Sequence, residues 1–101
     1  KVSNKGNKEY DVVIIGAGVI GLFIAYYLSK TNVRTLVIEK EVEPGFGVSK
    51  GHAGVIHVIQ LPFKSLRSRL ALEGNRKYQK IVNELGVEFR RVNTILVAIN
   101  P

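Results

Sequence analysis

Two different hydrophobic rhythms alternate along the first 40 residues. Tyr10-Asp11-Val12-Val13-Ile14-Ile15 is a run of β-branched residues without polar alternation, the pattern of a strand buried on both faces of a parallel sheet. From Gly18 to Lys30 the period changes, and Gly21, Ile24, Ala25 and Leu28 share one face at helical spacing. Thr31-Asn32 reads as a turn, and Val33 to Glu39 as a second buried strand. Strand, helix, strand within about 30 residues predicts a βαβ unit, in which two parallel strands are joined by a crossover helix.

A second half follows with a different texture. Glu43 to Gly54 is 12 residues rich in glycine with no periodicity, long for a connector and therefore expected to carry function. Val55 to Ile59 predicts a short strand ended by Pro62. Helical spacing returns from Lys64 to Leu85 through Leu66, Leu70, Gly74, Tyr78, Ile81 and Leu85, with Gly86 as the stop. Gly74 inside that helix costs about 1 kcal/mol unless it permits a close contact. Val87 to Arg90 and Thr94 to Ile99 predict two further strands.

Composition narrows the function. The 101 residues carry 15 Lys+Arg against 8 Asp+Glu, a net charge of +7. Lys1, Lys5 and Lys8 form a basic arm over residues 1–9, and Lys64, Arg67, Arg69, Arg76, Lys77 and Lys80 decorate the later helix. With few aromatic residues and no recognition-module signature, these charges read as a solvated face and no nucleic-acid partner is expected. No apolar run reaches the roughly 18 residues of a membrane span, so no integral membrane segment is expected. The expected location is cytoplasmic, with peripheral membrane contact through the arm left open. Absence of cysteine excludes disulfides, thiolate metal sites and a catalytic thiol from this chain, and no metal site is expected.

The chemistry is concentrated where strand meets helix. Gly16-x-Gly18-x-x-Gly21 follows the first strand and opens the helix. Gly16 allows the sharp turn, Gly18 lets backbone approach a pyrophosphate, and Gly21 lets the helix pack closely on the sheet. The helix N-terminus, with Val19 and Ile20 in its first turn, offers unpaired N–H groups and a positive dipole end to phosphates. Glu39 ends the second strand 18 residues after Gly21, where a carboxylate accepts hydrogen bonds from ribose hydroxyls and repels a 2′-phosphate. The four features together predict a Rossmann-like, α/β dinucleotide-binding unit. Whether FAD or NAD is held stays open at this point.

Asp11-Val-Val-Ile-Ile-Gly-Ala-Gly-Val-Ile-Gly-Leu and Val37-Ile-Glu-Lys-Glu resemble the opening of FAD-dependent oxidoreductases of the D-amino-acid-oxidase (DAO) superfamily. Ser49-Lys-Gly-His-Ala-Gly-Val-Ile-His57 is similar to that superfamily's second segment, in the form found in FAD-dependent glycerol-3-phosphate and L-2-hydroxyglutarate dehydrogenases. Leu70-Ala-Leu-Glu-Gly-Asn-Arg-Lys-Tyr78 and Glu84-Leu-Gly-Val-Glu-Phe89 resemble the glycerol-3-phosphate branch.

The resemblance implies FAD as cofactor, with Gly16, Gly18, Val19, Ile20 and Gly21 at its pyrophosphate and Glu39 at the adenosine ribose beside Lys40. Ser49, Lys50 and Gly51 would lie along the pyrophosphate and ribityl chain, and His52, Ala53 and the residues up to His57 would run towards the flavin ring. The implied reaction is hydride transfer from a substrate CH–OH group to FAD. The implied substrate is a small molecule such as glycerol-3-phosphate, another polyol phosphate or a hydroxy acid, and no electron acceptor is indicated. His57 is a weak candidate base, since a histidine in such a segment is more often a structural residue held by hydrogen bonds than a catalyst.

Two departures stand out: His52 replaces an Asn common in relatives, and Val58-Ile59-Gln60-Leu61-Pro62 replaces a Gly-Gly-x-Arg-Tyr whose arginine grips substrate phosphate. Any such grip must come from elsewhere, and Lys64 and Arg67 are the nearest cations in sequence. The expected organisation is a basic arm over 1–9 and the N-terminal part of an FAD/NAD(P)-binding domain over 10–101. Such a unit is an incomplete portion of a larger two-domain flavoprotein and needs further polypeptide or a second chain to finish the fold. Rival readings are an L-2-hydroxyglutarate dehydrogenase or an amino-acid-oxidase-like flavoenzyme, an inactive truncated fragment, and an NAD-binding module.

Overall fold

The computed structural model describes residues 9–100; the basic residues Lys1, Lys5 and Lys8 of the expected arm lie outside them. The chain divides into two compact units, residues 1–54 and 55–101.

The first unit is the expected βαβ. Strand β1 (Val12–Ile15) runs parallel to β2 (Thr35–Ile38), in the register Val12 to Thr35 and Ile15 to Ile38, and helix α1 (Val19–Leu28) connects them. Both strands are shorter than their apolar runs because the residues before them are engaged otherwise. The Asp11 carboxylate accepts from the Arg34 backbone N–H at 2.8 Å and from Nε and Nη2 of its guanidinium at 3.2 Å each. This clip holds the entry to both strands in register. The predicted turn is present, with the Thr31 hydroxyl donating to the Leu28 carbonyl and accepting from the Val33 N–H.

Burial departs from the sequence reading in both strands, β2 having no buried residue. β1 was expected to be covered on both faces, but Ile14 is buried and Ile15 is 87% exposed. The reason is geometric: successive side chains point to opposite faces of a sheet, and α1 covers only the face carrying Ile14. The buried residues of this unit are Ile14 and Ala17.

The predicted glycine-rich loop contains one turn of 3₁₀-helix at Val48–Gly51. Its earlier part folds back on the βα turn, where Gly45 N–H donates to the Ala17 carbonyl at 2.7 Å.

In the second unit, α2 (Leu66–Leu85) is the predicted long helix. Ser65 caps it, its hydroxyl accepting the Ser68 N–H at 3.2 Å, which satisfies one of the amides a helix start leaves unpaired. Gly86, at φ 64°, closes the other end. Its N–H donates to the Asn83 carbonyl and that of Val87 to the Val82 carbonyl, the paired bonds of a Schellman cap. Ile81 and Val82 are buried, and the Tyr78 ring packs on Phe89 at a centroid distance of 5.8 Å. Leu66, at 67% exposure, and Leu70, at 59%, were expected in the buried stripe and lie open. Gly74 makes no close contact either: nothing lies within 4 Å of where a Cβ would stand.

The three strands predicted in this half, at Val55–Ile59, Val87–Arg90 and Thr94–Ile99, are not formed. A strand exists through its ladder, and the backbone groups here are committed elsewhere or have no neighbour among the described residues. The Ile56 carbonyl accepts from the Asn75 side chain at 3.3 Å, and the Val87 N–H closes the helix cap. Thr94–Ile99 runs without a partner strand, and Ile95 is 85% exposed.

Candidate functional site

The βα turn of the first unit gathers most of the residues singled out from sequence. Gly16, at φ +102°, turns the chain out of β1 while its N–H donates to the Ile38 carbonyl at 2.7 Å. Only glycine adopts that φ without strain. Gly21 is needed for space: a Cβ there would overlap the Gly16 carbonyl oxygen and stand 3.2 Å from Ile14 Cγ2. The N-terminus of α1 is thereby held against the end of β1.

Around this turn the structure places two side-chain acceptors. Glu39, just beyond β2, accepts the Ala17 N–H at 2.7 Å on Oε2 and the Glu41 N–H at 3.0 Å on Oε1. The Glu41 amide, followed by the Ala17 amide, holds its carboxyl below the usual glutamate range, because both bonds favour the charged form. Ser49, on the 3₁₀ turn, accepts the Val19 N–H at 2.9 Å, and its Oγ lies 3.3 Å from where a Cβ on Gly18 would be. Gly18 is the N-cap of α1, and the Leu22 N–H makes the first intrahelical bond, to the Gly18 carbonyl. The amides of Ile20 and Gly21 lie between, at the positive end of the helix, without partners among the described residues.

The other candidates sit differently. Lys40 Nζ is 3.7 Å from Glu41 Oε1 and is otherwise exposed. Lys50 stacks its ammonium 3.9 Å above the Phe46 ring, a cation–π contact. Gly51 ends the 3₁₀ turn and Ala53 is exposed. His52 Nδ1 accepts the Gly54 N–H at 2.9 Å. His57 belongs to the second unit, where it is exposed. Among the described residues no group of three or more His, Cys, Asp or Glu side chains is placed to hold a metal.

Three contacts were not read from sequence. Two are the Gly45 bond to Ala17 and the Asp11–Arg34 clip. The third is the Glu41 amide as second partner of Glu39.

Chemically, the turn offers helix-start amides for an anion, a close backbone approach, and an ionised carboxylate with spare lone pairs for hydroxyls. That set fits the pyrophosphate and ribose of a dinucleotide. The whole segment 11–101 matches the FAD dependent oxidoreductase (DAO) family. The chain belongs to that family.

Among curated relatives of this DAO chain, a glycerol 3-phosphate dehydrogenase of Caloramator mitchellensis is 38% identical, over 90% of this chain and 19% of its own length. A mitochondrial L-2-hydroxyglutarate dehydrogenase of Caenorhabditis elegans is 31% identical, over 92% of this chain and 22% of its own. A thiamine thiazole synthase of Sulfolobus acidocaldarius is 38% identical, over 72% of this chain and 26% of its own. The chain thus spans about a fifth to a quarter of the length of these relatives. No solved structure matches it.

Proposed function

We propose that this DAO-family chain forms the FAD-holding part of a flavin-dependent dehydrogenase acting on a CH–OH group. The observation carrying the reading is the convergence of Gly16–Gly21, Glu39 and Ser49 on the N-terminus of α1. In this reading the amides of Ile20 and Gly21 bind the pyrophosphate, and Gly18 admits it. Glu39 accepts from the adenosine ribose, and Ser49, Lys50 and Gly51 follow the chain towards the ring, with His52 and Ala53 beyond. Lys40 adds positive charge at the ribose end.

When bound, FAD supplies a two-electron acceptor that the protein lacks. Bound there, FAD would serve the two-electron oxidation of a substrate CH–OH group to a carbonyl, and a base of the protein would take the hydroxyl proton. His57 is the candidate base. Glycerol-3-phosphate is the favoured substrate, because a relative 38% identical over 90% of this chain is named for it. A hydroxy acid such as L-2-hydroxyglutarate is the second reading, favoured by the dehydrogenases of that name at 29–33% identity. The proposed location is cytoplasmic; no helix among the described residues is long and apolar enough to cross a membrane.

The test is FAD uptake. Titrating the purified chain with FAD should quench flavin fluorescence saturably and leave the visible flavin absorption with the protein after gel filtration. NAD added in excess should not displace it. A chain that takes up NAD but not FAD would replace this reading with a nicotinamide-binding module. A chain that takes up neither would sink a cofactor-holding role for these residues.

A further inference from the structure

The contacts of Glu39 reach further than a ribose. Its two carboxylate oxygens carry about four acceptor positions. One on Oε2 is taken by the Ala17 N–H and one on Oε1 by the Glu41 N–H, and the Lys40 amide also donates towards the carboxylate, leaving about one position for a ribose hydroxyl. Ala17 is the most buried residue of the unit, at 2% exposure, and lies between Gly16 and Gly18, in the middle of the turn. Its N–H goes to Glu39 and its carbonyl to Gly45. Apart from the Gly16 N–H bonded to Ile38 and the Val19 N–H bonded to Ser49, these two bonds fix the peptides that aim the start of α1.

From this we infer that Glu39 is a positioning residue for the pyrophosphate as well as a ribose acceptor: by holding the Ala17 amide it braces the glycine turn, so the two halves of the cofactor's ADP portion bind as one coupled unit. The inference rests on the dinucleotide reading above. It also makes a chemical demand that ribose binding alone does not. Both oxygens face an N–H, so both must be acceptors. Glutamine has a single acceptor oxygen and must turn its NH₂ towards one of the two amides, leaving that N–H facing a donor.

The experiment compares ADP with 2′,3′-dideoxy-ADP, which keeps the pyrophosphate and lacks the hydroxyls, by calorimetry on the wild-type chain and on Glu39→Gln and Glu39→Asp. Asp keeps the charge but is one methylene shorter and cannot span both amides from the same backbone. The brace predicts that both variants bind dideoxy-ADP weaker than wild type by roughly tenfold, as expected for losing one charge-assisted bond. ADP should weaken further still. Affinity for dideoxy-ADP unchanged within about twofold, with only ADP weakened, would overturn the brace and leave Glu39 as a ribose acceptor alone.

Amide hydrogen exchange at Ala17 decides the matter independently of any ligand. Protection of Ala17 should fall roughly tenfold in Glu39→Asp, and that of Ala17 or Glu41 in Glu39→Gln, while the Leu22 amide, inside α1, keeps its own; protection of Ala17 equal to wild type in Glu39→Asp would refute the brace. A wild-type chain that binds neither nucleotide would overturn the cofactor reading, and the exchange result would still stand for or against the brace. Circular dichroism shows which variants keep their helices, and the Asp variant carries the test should the Gln variant unfold.

Discussion

Replacing Gly21 with alanine adds one methyl group, and the structure says where it goes. The new Cβ would overlap the carbonyl oxygen of Gly16 and press on Ile14 Cγ2 at 3.2 Å. Neither neighbour yields easily. The peptide carrying that carbonyl is held by the Ala17 N–H bond to Glu39 and Ile14 is buried, so relief requires α1 to move off the sheet. Overpacking of this kind costs about 1–3 kcal/mol. Gly21 lies inside α1 at a helical φ, so alanine also returns about 0.5–1 kcal/mol of helix propensity. The net expectation is a loss of about 2 kcal/mol, the backbone nature of the clash placing the cost near the top of its range.

Gly74→Ala is the matched control. That glycine is also inside a helix, but open space surrounds the position of its Cβ, so only the propensity gain remains and stability should rise by about 0.5–1 kcal/mol. Native-state amide exchange reads both sites without requiring that the two units unfold together. The amides of Val12–Ile15 should lose roughly thirtyfold protection in Gly21→Ala. Those of Ile81 and Val82 should gain a few-fold in Gly74→Ala. A Gly21→Ala chain as stable as wild type would refute the claim that this glycine exists for close packing. So would two substitutions of the same sign.

Two further outcomes follow from the geometry. Ser65→Ala removes the hydroxyl that accepts the Ser68 N–H and should cost α2 about 1 kcal/mol, seen as faster exchange in its first two turns with its last turn unchanged. The Arg34 side chain, and then its backbone amide, hold the Asp11 carboxyl below the usual aspartate range. A folded-state pKa below the unfolded value near 4 stabilises the fold above about pH 4 and loses that contribution as pH falls through the lower folded value. Acid titration of the β2 amides should show this loss, and Asp11→Asn should remove it. Glu39 titrates in the same direction in both proteins, so their difference isolates Asp11. Identical acid profiles would exclude the clip as a source of stability.

Local chemistry made the first half of the chain legible. The β-branched run, the change of period at Gly18, the turn at Thr31 and the spacing from Gly21 to Glu39 each have a short-range cause, and the βαβ unit formed where they indicated. The cap at Ser65 and the stop at Gly86 are of the same kind, written within four residues of the helix ends. Family membership was legible for a related reason: the glycine pattern and the Ser49–His57 segment are contiguous motifs, readable without knowing what they touch.

Pairing was not legible. Val55–Ile59, Val87–Arg90 and Thr94–Ile99 have strand composition, yet composition provides no partner, and a backbone N–H such as that of Val87 goes to whichever acceptor the fold brings first. Burial was misjudged for the same reason at Ile15, Leu66 and Leu70, since an apolar side chain is covered only if another element crosses it.

The site divides along the same line. The order of residues determined that a turn, a helix start and a carboxylate would occur at the ends of adjacent strands. Only the tertiary structure decided that Glu39 Oε2 would take the Ala17 amide from 22 residues away, that Ser49 would reach Val19 from 30 residues away, and that Gly45 would fasten the buried Ala17. Those contacts depend on where a loop comes to rest, and the separations in sequence are too long for local preference to specify.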